Sequence, residues 1–473
     1  MTDRYDLAVI GGGTAGLVAA AGGALLGARV ILFEREALGG DCLWTGCVPS
    51  KTLIRSARVR HLQRDGGRFG VGAASTPLDY GAVANRMREV QRAIEPHDSP
   101  ERFRDLGVDV VLEPARLDGR DRIVSNSRTV AARRVLIATG SRSVAPPIPG
   151  LEQTGYLTHV SALALERLPR TVIVLGGGPI GLEFAQLYRR LGVEVTVIER
   201  ERRILQGEDA DAADVVRACL EREGVLVHTG LDVTRVEPGQ GGVTRVLVGE
   251  HDFEAEALLV ATGRRANIEG LGLESAGVAV TERGIAVDAG MRTSARGVFA
   301  AGDVTGKYLF THVADYQARL VVANALVPLV RRRADYRAVP WVTYTDPELA
   351  RVGATEVEAR ERHGDGVQVW RYDLADSDRA LIDGETDGFV KLIADRRGRL
   401  LGAHIVGADA GNLIAAPALA VSRGLKLADI AATVLPYPTF PEAIKRAAEL
   451  RDRERLASAG GRLLRRLVRW RGA

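Results

Sequence analysis

The chain has 473 residues, and its 64 basic and 60 acidic side chains leave a net charge of +4. At roughly 100 to 200 residues per domain this is length for about three folded units, and so small an excess of charge gives no basis for a nucleic-acid partner. Three cysteines exclude a disulfide scaffold and leave a close pair to be read as catalytic or metal-binding in a reducing compartment, which places the protein in the cytoplasm.

From the N-terminus, Leu7 to Ala28 carries no charge and is long enough to imitate a membrane span, but seven of its residues are glycine and no basic run precedes it. The segment YDLAVIGGGTAGLVAA reads instead as a buried strand, a glycine turn and a helix of small residues, with Gly11, Gly13 and Gly16 in GxGxxG spacing. TVIVLGGGPIGLEFA repeats the pattern at Gly176, Gly178 and Gly181. In both copies an acid follows 23 residues after the first glycine, Glu34 in one and Glu199 in the other. The first glycine permits the tight turn, the second lets backbone approach a pyrophosphate, and the third lets helix and strand pack closely. The phosphates then meet a helix N-terminus, and the acid accepts hydrogen bonds from a ribose diol. A lone GxGxxG is weak; two copies with matching acids make two nucleotide domains.

Each copy runs on to a strand ending in Ala-Thr-Gly, at Ala138 to Gly140 and at Ala261 to Gly263. The first copy takes 127 residues to reach that point and the second 85, so the first carries an insertion. Within it lies GGDCLWTGCVPSKTLIRSA, with Cys42 and Cys47 just before a helix expected to start near Pro49 and Ser50. A helix N-terminus and the nearby Lys51 favour a thiolate, lowering a cysteine from about 8.5 toward roughly 3.5 to 7.5. The alternative, a buried pair or half a zinc site, lacks a second ligand pair with zinc spacing. Farther on, TSARGVFAAGDV is a strand running into Gly302 and Asp303. From about Trp341 the stretches YTDPELARVG, GFVKLIAD and LLGAHIVG read as alternating strands of a third unit, with helices from near Asn412.

On these motifs the sequence resembles the pyridine-nucleotide disulfide oxidoreductases, the family of glutathione reductase, dihydrolipoamide dehydrogenase and mercuric reductase. The carriers are the GxGxxG at Gly11, the GGDCLWTGCVPSK segment, the second GxGxxG at Gly176, GRRAN after Gly263 and AAGDV around Asp303. The resemblance implies an α/β chain with two Rossmann-like dinucleotide-binding domains and a C-terminal α+β dimerisation domain, as in glutathione reductase. The expected bounds are 1–150 for the first part of the FAD domain, 151–284 for the NAD(P) domain, 285–340 for the second FAD part and 341–473 for dimerisation. It further implies a homodimer in which each subunit completes its partner's active site.

Carried over by position, Cys42 is the interchange thiol facing substrate and Cys47 the charge-transfer thiol against the flavin. Lys51 and Glu183 form an ion pair beside the reactive flavin nitrogen, bare charge pairing between helices being the alternative. FAD is assigned Gly11, Gly13, Gly16, Glu34, Ala115, Thr139, Gly140 and Asp303. The nicotinamide cofactor is assigned Gly176, Gly178, Gly181, Glu199, Gly263 and Arg264. Glu199 favours NADH, because a carboxylate repels a 2′-phosphate, while Arg200, Arg202 and Arg203 keep NADPH as the alternative. No metal site is assigned.

Departures from the family lie near the C-terminus. Disulfide reductases carry a His-Pro-Thr segment ending in a glutamate; here PYPTFPE puts Tyr437 at the histidine position and keeps Glu442. A phenol with pKa near 10 is a poor base at neutral pH. Mercuric reductases resemble the sequence better at that point, but the C-terminal cysteine pair and N-terminal metal-binding domain of that group are not found. Cys219 is expected to be a packing residue. In EPHDSPERF, His97 is a candidate proton relay, or an exposed histidine beside a helix-capping Asp-Ser turn. The tail RLLRRLVRWRGA, residues 461–473, is a basic amphipathic stretch for a membrane surface or acidic partner, or else a solvated or dimer-packing helix.

The expected function is therefore FAD-dependent transfer from NADH through Cys42 and Cys47 to a small disulfide or thiol, or to a soft metal ion such as Hg(II). Alternatives are a dihydrolipoamide dehydrogenase component of a larger assembly, a mercuric reductase, and a cysteine-independent diaphorase acting on quinones.

Overall fold

The computed structural model describes residues 4–74, 76–457, 468 and 470. The chain divides into two compact units, Met1–Leu175 with Thr234–Asp335, and Gly176–Val233 with Tyr336–Ala473.

In the first unit, β1 (Arg4–Ile10), β2 (Val30–Phe33), β3 (Val108–Val111), β4 (Ala115–Leu117), β5 (Arg122–Ser125) and β6 (Thr129–Ile137) form a sheet in the order β3-β2-β1-β6-β5-β4. The strands from β3 to β6 run parallel, and β4 and β5 return antiparallel. One edge of β6 is shared, with β5 against Thr129 to Ala131 at its start and the strand Val298–Ala300 against Val135 to Ile137 at its end. Helix α1 (Thr14–Leu25) follows β1. Both faces of β1 are covered: Leu7 and Val9 pack with Ala15, Leu17 and Ala20, while Tyr5, Ala8 and Ile10 pack with Ile123, Val130 and Leu271. Double coverage is why a parallel strand reads as a continuous apolar run.

In the insertion, α2 (Gly40–Trp44) carries Cys42, and α3 (Cys47–Arg64) begins at Cys47 itself, two residues before the expected start. The cysteine thus takes the first helical position, where backbone N–H groups have no intrahelical acceptor. Helix α4 (Tyr80–Ile94) packs on α3, and its buried Gln91 donates to the carbonyls of Leu43 and Trp44, both at 3.0 Å. That amide pins the backbone on which Cys42 sits.

In the second unit, the helix Pro179–Leu191 precedes the parallel strands Glu194–Glu199 and Leu226–Thr229. The C-terminal part is a five-stranded antiparallel sheet, ordered Pro340–Thr343, Glu348–Gly353, Leu400–Gly407, Phe389–Ala394, Gln368–Asp373. The alternation expected there is absent from Phe389–Ala394, which is buried at every residue. Its apolar Val390 and Leu392 join the core formed with the helices Ala415–Arg423 and Pro441–Ala457. Its Lys391 lies among carboxylates, 3.2 Å from Asp209, 2.8 Å from Asp211 and 3.3 Å from Glu356. Next to it the fully buried His404 has Nε2 3.2 Å from Glu208 and Nδ1 3.4 Å from Asp209. These charges tie the loop after Glu199 to the sheet.

Among the described residues no helix is long and apolar enough to cross a membrane. The tail 461–473 lies outside the described residues except for Val468 and Trp470, which are helical and exposed.

Candidate active site

The two glycine turns have the same construction. Gly11 takes φ +109°, and a Cβ there would lie 2.4 Å from the carbonyl oxygen of Ala138; Gly176 takes φ +112°. A Cβ at Gly16 would lie 1.8 Å from the carbonyl oxygen of Gly11, so turn and helix touch at backbone distance. The middle glycines face open space: at Gly13 a Cβ would meet only Gly40 at 3.9 Å, and at Gly178 nothing within 4 Å. Neither following helix has a side-chain N-cap bond, leaving first-turn N–H groups for an anion.

The acids are anchored alike. Glu34 accepts from the N–H of Gly12 at 2.6 Å and of Glu36 at 2.8 Å. Glu199 accepts from Gly177 at 2.5 Å and Glu201 at 2.8 Å. Each carboxylate oxygen keeps a lone pair for a ribose hydroxyl. Each cradle fits the pyrophosphate and ribose of a dinucleotide, the first being the one expected to take FAD and the second a nicotinamide dinucleotide.

The Ala-Thr-Gly turn is stitched to GRRAN: Thr139 donates to the Asn267 carbonyl at 2.7 Å, and Asn267 returns bonds to the carbonyls of Thr139 and Gly140, both at 2.9 Å. Asp303 opens a 3-10 turn and accepts from Ser141 at 2.6 Å; burial pushes its carboxyl up. Ala115 lies on β4 and Gly263 in the turn before the strand Arg264–Ala266.

Cys42 is half-buried and Cys47 exposed, and neither forms a disulfide here. Cys47 Sγ lies 3.7 Å from Thr311 Oγ1 at the start of the helix Thr311–Leu326. The Cys42 thiol is pushed far up, first by its hydrogen bond to Cys47, then by burial and by charge on Cys47, with Asp41 adding to it. The direction at Cys42 is thus opposite to the lowering expected of a cysteine in this segment, and Cys47 is the one that stands at the helix N-terminus. Lys51 follows one turn later on α3. Glu183 is buried on the helix Pro179–Leu191, its Oε1 accepting the N–H of Tyr344 at 2.9 Å.

The guanidinium of Arg264, expected among the nicotinamide-binding residues, reaches the cysteine loop. It donates to Asp41 Oδ2 at 2.7 Å, and to Ser141 Oγ at 2.9 Å and carbonyl at 3.1 Å. His159, buried, has Nε2 between Arg264 Nη1 at 3.1 Å and Asp41 Oδ1 at 3.4 Å, and its Nδ1 meets Ser143 at 2.8 Å. Thr45 donates to Asp41 Oδ1 at 2.5 Å. Sequence reasoning missed Asp41, His159, Ser141 and Thr311. Only Asp41, inside the cysteine motif, had a signal that could have found it.

His97 is exposed on the 3-10 turn Glu95–His97, its carbonyl accepting from Arg102. The cap of the following helix is Ser99 rather than Asp98, accepting the Arg102 N–H at 3.3 Å. Asp98 lies against the cysteine loop, with its Oδ2 3.2 Å from where a Cβ on Gly39 would stand. Cys219 is buried in the helix Ala210–Arg222, and burial pushes its thiol up to about 11.

In the second unit, Tyr437 is exposed and donates to Asp378 Oδ2 at 2.8 Å, a bond that raises its phenol. Glu442 is not its partner: that carboxylate takes Arg446 at 2.8 Å. Beside them Tyr372, Asp376, Asp378, Glu442, Arg446 and Arg453 line a cavity of about 330 Å³. Among the described residues no cluster of three or more His, Cys, Asp or Glu is arranged to hold a metal.

Comparison with known proteins agrees with this geometry. Residues 5–318 match the family described as pyridine nucleotide-disulphide oxidoreductase, and residues 339–448 match its dimerisation domain. The chain is 38% identical over 462 residues to a mercuric reductase of Streptomyces lividans, covering 94% of this chain and 96% of that one. It is 35% identical over 483 residues to dihydrolipoyl dehydrogenase of Bacillus subtilis, covering 96% and 99%. The solved structure of the HOCl-induced flavoprotein disulfide reductase RclA from Escherichia coli superimposes with a TM-score of 0.85 at 30% identity, over 94% of this chain and 100% of that one. With its paired dinucleotide cradles and dimerisation domain, the chain belongs to the pyridine nucleotide-disulphide oxidoreductases and is an FAD-dependent NAD(P)H oxidoreductase acting on sulfur groups.

Proposed function

We propose that the protein takes electrons from NADH through Cys42 and Cys47 to a thiol-reactive acceptor, and that it works as a homodimer in the cytoplasm. The observation that carries this reading is the placement of the pair: Cys47 exposed at the first position of α3, and Cys42 half-buried in the helix before it. When bound, FAD supplies two-electron transfer between nicotinamide and sulfur. The residues of this chain hold and poise its partners. Gly11, Gly13, Gly16 and Glu34, with Thr139, Gly140, Ala115 and Asp303, hold the flavin nucleotide. Gly176, Gly178, Gly181, Glu199 and Gly263 hold the nicotinamide nucleotide. Lys51 supplies charge beside the ring, and Cys42 meets the acceptor.

NADH is favoured over NADPH by the partners of the arginines. Arg203 donates to the carbonyls of Leu205, Gln206 and Glu208, at 3.2, 2.8 and 2.8 Å, and Arg200 pairs with Glu201 at 3.2 Å. Those bonds engage two of the three arginines that could otherwise meet a 2′-phosphate. Among acceptors, a soft metal ion is favoured over a disulfide, because Tyr437 is tied to a carboxylate that weakens it as an acid and no imidazole stands at that position. Relatives named mercuric reductase, and a Cu(II) complex among the structures of the Escherichia coli reductase, support the same choice.

The test is NADH oxidation against Hg(II), lipoamide, glutathione disulfide and a quinone, with Cys42→Ser alongside. The reading expects turnover with Hg(II) or a disulfide that is lost in Cys42→Ser. Turnover confined to the quinone and intact in the variant overturns it.

A further inference from the structure

Asp41 stands directly before Cys42 and is held by three side chains. Arg264 reaches it at 2.7 Å, Thr45 at 2.5 Å and His159 at 3.4 Å. These contacts come from three separate places in the chain, and the Arg264 side chain is only 12% exposed. Burial raises the Asp41 carboxyl, but hydrogen bonding by His159, the charge of Arg264 and the bond from Thr45 outweigh it and hold the group well below the usual carboxylate range. Asp41 is therefore an anion at every pH at which the enzyme would work.

We propose that Asp41 is a positioning residue that sets the reducing power of the Cys42–Cys47 pair, with Arg264 as its counter-charge. The inference rests on the reading that this pair is the redox centre. Reduction breaks one S–S bond and adds two electrons and two protons, of which one proton is released when the dithiol carries a thiolate. The disulfide is neutral and the thiolate form anionic. A fixed anion beside Cys42, in the loop that leads to Cys47, disfavours negative charge on the reduced pair and leaves the neutral disulfide unaffected, so it shifts the equilibrium toward disulfide and makes the reduced pair a stronger reductant. Arg264 limits this effect and fixes the carboxylate in place; its bonds to Ser141, which in turn donates to Asp303, tie the charge to the expected flavin-binding residues.

The test uses FAD-loaded protein equilibrated at one fixed pH with mixtures of glutathione and its disulfide. In that exchange two glutathione thiols give up two electrons and two protons, one S–S bond forms between them and the Cys42–Cys47 bond breaks. The dithiol fraction is read by alkylation and peptide mass. Asp41→Asn, nearly isosteric, is expected to favour dithiol by about tenfold in the equilibrium constant, about 30 mV. Asp41→Glu, which restores the charge, is expected to return most of that shift. A structural role predicts the reverse order, since the longer side chain disturbs packing more than the isostere does. The proposal is overturned if Asp41→Asn equilibrates like the unchanged protein, or if Asp41→Glu shifts as far as Asp41→Asn. If NADH fails to reduce the pair even in the unchanged protein, it is the underlying reading that fails.

Discussion

Gly16 and Gly178 are both glycines of a dinucleotide turn, yet they are required for different reasons. A methyl at Gly16 would collide with the carbonyl of Gly11, so Gly16→Ala is expected to cost the fold and the flavin together. A methyl at Gly178 meets no protein atom, and its φ of −81° is ordinary. Gly178→Ala should leave the melting temperature unchanged while raising the KM for NADH by about tenfold, close to 1.4 kcal/mol of lost binding; steady-state kinetics beside a thermal melt checks both halves. At Tyr437 the expected gain runs the other way. Tyr437→His puts an imidazole where the phenol is bound to Asp378, and turnover with disulfide acceptors at neutral pH should rise by roughly 10²-fold. Unchanged disulfide turnover would show that the acid-base group of this site lies elsewhere.

Elements explain which parts of the site were legible in the sequence. A glycine turn is written at fixed local spacing because one strand, one turn and one helix N-terminus must close on a pyrophosphate, so both cradles could be read directly. The start of α3 at Cys47 was displaced by two residues because the expected start relied on proline and serine, whereas Gly46 ends the preceding turn. The meeting of His159 and Arg264 at Asp41 had no such local grammar: they lie 118 and 223 residues from it along the chain and reach it only in the folded structure. The same holds for Asp378, 59 residues from Tyr437, and for Lys391, whose strand resembles any buried strand until Asp209 and Asp211 are placed beside it.

The Lys391 cluster also carries a stability prediction. Lys391→Met leaves buried carboxylates without their cation and should cost about 3–5 kcal/mol in urea denaturation. Burial lowers the Lys391 ammonium, but its hydrogen bond to Asp211 and the charges of Asp209 and Asp211 outweigh this and raise it. A raised group stabilises fully below its unfolded pKa of about 10.4 and loses that contribution as pH climbs through the folded value. The cost of Lys391→Met should therefore be constant near neutrality and shrink above about pH 10, which urea titrations at several pH values will show.

At the scale of the whole molecule, the proposed electron path has the cysteine pair as its middle member. Dimerisation is expected to be needed for turnover, because Tyr437 and Glu442 belong to the part of the chain matched to the dimerisation domain; sedimentation and activity measured over the same dilution series should fall together. The most direct measurement is anaerobic: add NADH in stepwise equivalents to the FAD-loaded protein, quench with an alkylating agent, and map the modified cysteines. The account predicts that the first equivalent converts Cys42 and Cys47 from unreactive disulfide to two alkylated thiols per chain while Cys219 stays constant. Full reduction of the flavin with Cys42 and Cys47 unchanged would contradict it.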